Sequence, residues 1–371
     1  MSCGRGKVYD IAVVGAGFAG AVIAERFASI GRKVIVIDER SHFGGNAYDY
    51  YNEHNLLVHK YGPHIFHTND SKVFNYLSRF TQWRPYEHRV LASVEGKLVP
   101  IPVNARTLEM LFDPQELANG VEDFLSKRRL KIDKIITAED SVLSRMGADI
   151  YEKFFKHYTE KQWGRHPKQL HASVTARIPI RTNYDDRYFT DKYQAIPLFG
   201  YNKLFHNMLN HPNITLVLNV GWQKIECSIM FNRLIYTGPI DGFFGYCYGR
   251  LPYRSLQFKF RLHYRERVQP VATINYPNEH EYTRITEFKH VTGQRHPWSI
   301  TVAEIPCSSG EPYYPVPTDE SDDMLRNYQK QLKQLDTVRF IGRLGTYRYY
   351  NMDQVVASAL HQFEQLVKLR W

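Results

Sequence analysis

Gly15, Gly17 and Gly20 are spaced as G-x-G-x-x-G around Ala16, Phe18 and Ala19, and Asp38 follows Gly20 by 18 residues. That pattern can hold a pyrophosphate. The first glycine permits a tight turn, the second lets the backbone approach the ligand, and the third lets a helix pack close on a strand. A helix starting here adds free N–H groups and a partial positive charge. Asp38 offers a carboxylate to the two hydroxyls of an adenosine ribose, and an acid there disfavours a 2′-phosphate, so NADP is the least expected dinucleotide. A second glycine pair, Gly44-Gly45, precedes Asn46. Glycine lets backbone pass close to a cofactor. NAD domains normally continue into another βα unit at this point, so FAD is preferred.

A second set of residues suits anions. Tyr158-Thr159-Glu160-Lys161-Gln162-Trp163 is one run, and Arg177-Ile178-Pro179-Ile180-Arg181 places two cations around a proline. Tyr282-Thr283-Arg284, Tyr313-Tyr314-Pro315-Val316 and Tyr347-Arg348-Tyr349-Tyr350 follow. Taken singly, each reads more readily as surface or sheet packing. Together they offer what a diphosphate clamp needs: bidentate guanidinium donors and neutral hydroxyl donors.

The elements that must position these residues are partly visible. Residues 9–14 read as a buried strand, 21–30 as a helix closed by Gly31, and 33–37 as a second strand ending at Asp38. Residues 90–103 read as a hairpin around Gly96, 108–163 as helical, and 173–193 as extended without helical period. Short β runs are expected at 213–220, 233–235 and 338–342, and alternating stretches over 253–301 predict an antiparallel sheet. Helices are expected at 321–335 and 353–369. The fold class is therefore α/β: a Rossmann-like FAD-binding domain with an inserted helical domain and an antiparallel β-sheet domain. The expected division is 1–82, 195–246 and 336–371 for the first, 104–168 for the second, and 83–103, 169–194 and 247–335 for the third.

Composition bounds the rest. A chain of 371 residues with 43% apolar and 23% charged residues suits two or three packed units and argues against disorder. Lys plus Arg number 48 against 38 acids, a net charge of +10 that favours an anionic partner. Dispersed charge without a recognised module leaves nucleic acid with little support. The 26 tyrosines suit either sheet faces or a wet cleft that holds rings and phosphates. Cys3, Cys227, Cys247 and Cys307 lack CxxC spacing, which argues against a disulfide framework or a zinc site and fits a reducing cytoplasm. Residues 1–7 lack the apolar core of a signal peptide. The longest apolar run, 11–24, has 14 residues, whereas a membrane span needs ~20. The expected protein is soluble and cytoplasmic, with no bound metal.

Seven runs carry a resemblance in order along the chain. They are Gly44-Gly45-Asn46-Ala47-Tyr48, Gly62-Pro63-His64-Ile65-Phe66-His67-Thr68, the 158–164 run, the 177–181 run, Tyr236-Thr237-Gly238-Pro239-Ile240-Asp241, Pro312-Tyr313-Tyr314-Pro315 and Gly342-Arg343-Leu344. In these the chain resembles the UDP-galactopyranose mutases of the bacterial type. The resemblance implies an isomerase that interconverts UDP-galactopyranose and UDP-galactofuranose with no net redox change, for galactofuranose glycan synthesis. It implies reduced FAD whose N5 attacks the anomeric carbon, a flavin reductant such as NAD(P)H or a reductase, and a homodimer.

Carried over residue by residue, the resemblance makes Arg181 and Arg284 the diphosphate grip, Arg181 from a loop that closes. Tyr188, Tyr314 and Tyr349 would donate to phosphate oxygens. Tyr158 and Phe154 would border the uracil, and Thr159, Trp163 and Asn275 would line the sugar and ribose pocket. His64 would face the flavin, as a turn residue or in acid–base work, in a turn whose carbonyls can accept the N5 proton. The cofactor set is Gly15, Gly17, Phe18, Gly20, Asp38, Gly45, Asn46, His64, Ile65, Val220, Arg343, Tyr350, Asn351, Met352 and Val355. Two departures stand out: Asn351 where the family often has an acid, and His88, beside the nucleotide, where relatives often carry Asn. The competing class is an FAD oxidoreductase of the amine-oxidase type, which shares the N-terminal fingerprint but has little use for Arg181 and Arg284.

Overall fold

The computed structural model describes residues 8–369 and 371; Cys3 and the leader reading of residues 1–7 lie outside the described residues. Val34–Ile37 is a four-residue run of Val and Ile, buried throughout, as a strand covered on both faces must be. It lies second in a five-stranded parallel sheet ordered Ile214–Val217, Val34–Ile37, Val8–Val14, Met230–Tyr236 and Val338–Phe340. The order switches direction on either side of Val8–Val14. In open α/β sheets such a switch opens a crevice at the carboxyl ends of the strands, where ligands bind.

The helix after the first strand spans Phe18–Ser29, starting three residues before the sequence-based boundary. Its early start places Gly20 inside the helix, where a Cβ would lie 1.9 Å from the Gly15 carbonyl oxygen. Close helix–strand approach thus decided the boundary. This helix packs with Gly200–Leu209 and Met352–Lys368 on one face of the sheet. On the other face, Leu325 and Tyr328 of helix Asp319–Leu332 pack with Tyr9, Tyr236 and Phe340.

A second, seven-stranded sheet is ordered Tyr314–Pro315, Tyr253–His263, Ser299–Cys307, Arg284–Glu287, Thr273–Asn275, Val90–Val94 and Lys97–Ile101. It is antiparallel except for one pair: Thr273–Asn275 runs parallel to Val90–Val94. The alternating patterns of the two strands could not show this, because direction depends on how separate chain segments meet. Helical residues 105–163 cover the hairpin, with Leu108, Phe124 and Phe154 packed on Val90 and Val99. Within the expected extended stretch, Ser173–Ala176 forms one helical turn. Helix Lys156–Trp163, preceded by a wide π-type turn at Tyr151–Phe155, packs beside strand Ser299–Cys307 of this sheet and carries the tyrosine–tryptophan run.

Candidate active site

Two cavities meet beside this helix. The first, about 1100 Å³, lies over the carboxyl ends of the parallel strands and is lined by Gly15, Gly17, Phe18, Asp38, Gly45, Asn46, Val220 and Val355. Helix Phe18–Ser29 presents its N-terminus here with no side-chain cap and no acid in its first turn, which leaves free N–H groups and positive potential for an anion. Gly17 and Gly45 face each other across this floor: a Cβ on Gly45 would lie 3.0 Å from the Gly17 Cα. Asp38 accepts from the backbone N–H groups of Ala16 (2.7 Å) and Arg40 (2.9 Å), so its carboxylate also ties the glycine loop to the strand end. Of the other cofactor candidates, Ile65 and Asn351 line the second cavity instead. Neither Gly20 nor Tyr350 reaches a wall; the Tyr350 carbonyl accepts from Arg343 at 2.5 Å.

The second cavity, about 600 Å³, brings together all eleven substrate candidates: His88, Phe154, Tyr158, Thr159, Trp163, Arg181, Tyr188, Asn275, Arg284, Tyr314 and Tyr349. It shares His64, Trp163, Arg343 and Met352 with the first. Tyr314 and Tyr349 stack at 5.5 Å, and the Arg343 guanidinium lies over both rings. Burial pushes the Tyr349 hydroxyl up, but Arg177 and Arg343 outweigh it and hold the phenol below its usual range. Arg284 faces the buried carboxylate of Glu304. Burial raises Glu304, and Arg284 opposes that shift without cancelling it. Arg181 is turned to its own loop, where its Nη1 donates to the carbonyls of Asp185 and Arg187. Its Nη2 is buried without a hydrogen-bond partner.

The His64 turn separates the cavities. The His64 Nδ1 lies 2.9 Å from the Gly62 carbonyl, which can only accept, so Nδ1 carries the proton and Nε2 a lone pair. The His64 N–H donates to the His59 ring and its carbonyl accepts from Tyr201, at 2.9 and 3.1 Å. Burial pulls His64 down to about 4 and His88 to about 3, so both rings are neutral near pH 7. His88 pairs with the Tyr86 hydroxyl at 3.0 Å and offers no cation to a phosphate. Asn351 stands at the N-cap of helix Met352–Lys368, where its backbone N–H donates to Gln354 Oε1 at 2.9 Å.

Five of the wall residues outside the sequence-based set bear on its chemistry. Arg177 stands 4.3 Å over the Tyr349 ring; the cation pair around Pro179 was the signal for it. Glu304 sits in a strand whose alternation gave no sign of a site. Gln162 and the pair His67–Asp191, joined at 3.0 Å, complete the wall. The Gln162 Oε1, Asn275 Oδ1 and Glu304 Oε1 atoms are buried acceptors without partners. A ligand that brings hydroxyl or N–H donors would satisfy them.

Comparison with known proteins gives the family. Residues 153–349 match the family model described as UDP-galactopyranose mutase, and residues 13–80 match an NAD(P)-binding Rossmann-like domain. A Klebsiella pneumoniae protein described as a probable UDP-galactopyranose mutase is 38% identical over 96% of this chain and 94% of its own length. The dTDP-fucopyranose mutase of Escherichia coli is 36% identical over 96% of this chain and 98% of its own. A crystal structure of reduced UDP-galactopyranose mutase superposes with a TM-score of 0.80 at 17% identity, covering 97% of this chain and 94% of that one. That last likeness speaks for the fold.

Proposed function

Because the chain belongs to the UDP-galactopyranose mutase family, we propose that it interconverts the pyranose and furanose forms of UDP-galactose with reduced FAD. The observation that carries this reading is the junction of the two cavities at His64, Trp163, Arg343 and Met352. One side is a dinucleotide cradle; the other is walled by arginine and tyrosine. The cradle fits FAD. The Gly17–Gly45 approach leaves no side chain in the pyrophosphate path, the helix N-terminus is uncapped, and Asp38 stands at the far strand end. Bound there, reduced FAD would supply the N5 nucleophile for the anomeric carbon, with no net redox change.

The chain's own residues handle the leaving group. Arg284, Arg343 and Arg177 put three guanidinium groups on the second cavity, and Tyr314 and Tyr349 add hydroxyl donors. Such donors stabilise the diphosphate charge as the glycosidic bond breaks and hold UDP until it returns. Arg181 would join them if its loop exchanged carbonyl partners for phosphate. Neutral His64 offers only a lone pair, so it positions the turn and does not act as an imidazolium acid. The Gly62 and His64 carbonyls already accept internal bonds, so one of these would have to be shared with the cofactor.

The product would feed galactofuranose glycan synthesis. A homodimer, a cytoplasmic location and a flavin reductant such as NAD(P)H or a reductase belong to the same reading. The test is to incubate the dithionite-reduced holoprotein with UDP-galactofuranose and separate the products. Conversion to UDP-galactopyranose without stoichiometric consumption of reductant supports the proposal, and no conversion overturns it. The E. coli relative favours a second reading, in which dTDP-fucopyranose is the substrate. Parallel assays with both nucleotide sugars decide between them by kcat/KM. The amine-oxidase alternative is disfavoured by the three guanidinium groups on the cavity wall, where an amine substrate would meet like charge.

A further inference from the structure

The two walls of the second cavity come from segments more than a hundred residues apart. Helix Lys156–Trp163 supplies Tyr158, Thr159, Gln162 and Trp163; the pair Asn275 and Arg284 faces them from the mouth of a hairpin. Asn275 and Arg284 are directly opposed in register, so the loop 276–283 closes immediately beyond them. Lys161 lies on the helix between these wall residues but does not line the cavity. Its Nζ reaches into that loop and shares its three N–H donors among the main-chain carbonyls of Tyr276, Glu279, His280 and Tyr282, at 2.5, 2.9, 3.3 and 3.2 Å. Four carbonyl oxygens converging on one point form a site for a monovalent cation, and here the helix supplies that cation covalently tethered.

The attachment is fixed from behind. The carbonyls of Lys161 and Gln162 both accept from the Arg254 guanidinium at 3.1 Å, which anchors the last helical turn to strand Tyr253–His263. Asn278 adds a second tie from the loop to the Lys153 carbonyl.

We propose that Lys161 is a positioning residue that sets the separation between the tyrosine–tryptophan helix and the Asn275–Arg284 strand ends, and thereby the width of the nucleotide slot. The carbonyl ring would collapse or fill with water without it, because four inward-facing oxygens repel one another unless a cation sits among them. Burial pulls the ammonium down to about 8, which leaves it protonated near pH 7. The role rests on the reading of the second cavity as the nucleotide-sugar site.

The test uses the reduced holoenzyme with Lys161→Met, Lys161→Gln and Lys161→Ala. Lys161→Met is expected to raise KM and the Kd for UDP roughly tenfold, with kcat changed far less and the flavin spectrum unaltered. In Lys161→Ala, ammonium or ethylammonium chloride should restore UDP affinity, whereas tetramethylammonium chloride at equal ionic strength should not. Should the Met variant fail to fold, Lys161→Ala without added amine carries the same KM test, and Lys161→Gln, whose amide keeps two donors, is expected to fall between it and the wild type. An unchanged KM in the folded neutral variant overturns the proposal, as does rescue that ammonium and tetramethylammonium share. Wild-type protein without mutase activity would instead overturn the functional reading, and UDP binding by tryptophan fluorescence keeps the two failures apart.

Discussion

Arg284 and Glu304 stand directly opposite each other on neighbouring antiparallel strands, with Arg284 Nε 3.4 Å from Glu304 Oε2. Glu304 is 3% exposed, and its other oxygen has no partner. The pair therefore holds a half-buried guanidinium over the cavity while leaving it free to turn toward a phosphate.

Removing Arg284 leaves a buried acid without its counter-charge. Arg284→Ala is expected to lose turnover, keep its flavin, and lose about 3 kcal/mol of stability. The double variant Arg284→Ala/Glu304→Gln should recover melting temperature but not activity. Calorimetry and the product assay check the two outcomes; a double variant no more stable than the single one would show that the pair is not the cause.

Gly17 and Gly20 separate cofactor binding from folding. A Cβ on Gly20 would lie 1.9 Å from the Gly15 carbonyl, whereas one on Gly17 would meet the Gly45 Cα at 3.6 Å, an ordinary contact. Gly20→Ala is expected to destabilise the fold by several kcal/mol, on the order of 3 or more. Gly17→Ala should fold normally yet bind less flavin, because its methyl points where the pyrophosphate must approach. Flavin-to-protein absorbance ratios and thermal melts distinguish these.

Glu287 ties a distant loop to the second sheet. It accepts from the N–H groups of Val268 and Gln269 and from Ser299, and it faces His290 at 3.4 Å. Burial opposes ionisation, but these donors outweigh it and hold the carboxyl down to about 2. The unfolded chain binds this proton more readily. The stabilisation is therefore complete above pH ~4.5 and is lost as pH falls toward 2, on the order of 3 kcal/mol in all. Urea titrations at pH 6 and pH 3 should show Glu287→Gln costing far more at the higher pH.

His64 and His88 carry no charge near neutrality, since burial places them at about 4 and about 3. UDP affinity is expected to stay flat with respect to these rings from pH 5.5 to 7.5. An inflection near pH 6.5 that disappears in His64→Asn or His88→Asn would contradict the assignment.

What could be read without coordinates follows the range of the interaction. The glycine spacing, Asp38 and the flanking apolar runs act within one βαβ unit, so local sequence suffices to place the cradle. The wall of the second cavity draws on positions from His88 to Tyr349, and only resemblance to a family could link them. Even then Arg177 and Arg181, two arginines around one proline, look alike until a fold shows which one stacks on Tyr349.

By itself the sequence determined the dinucleotide cradle and the fold class, because periodicity and backbone freedom are local properties. Only the tertiary structure decided that Glu304 opposes Arg284, that Arg181 is bound by its own loop, that His64 and His88 are neutral, and that Lys161 is clasped by four carbonyls. Each of these depends on which groups share a desolvated space, and that is set by packing between segments far apart in the chain.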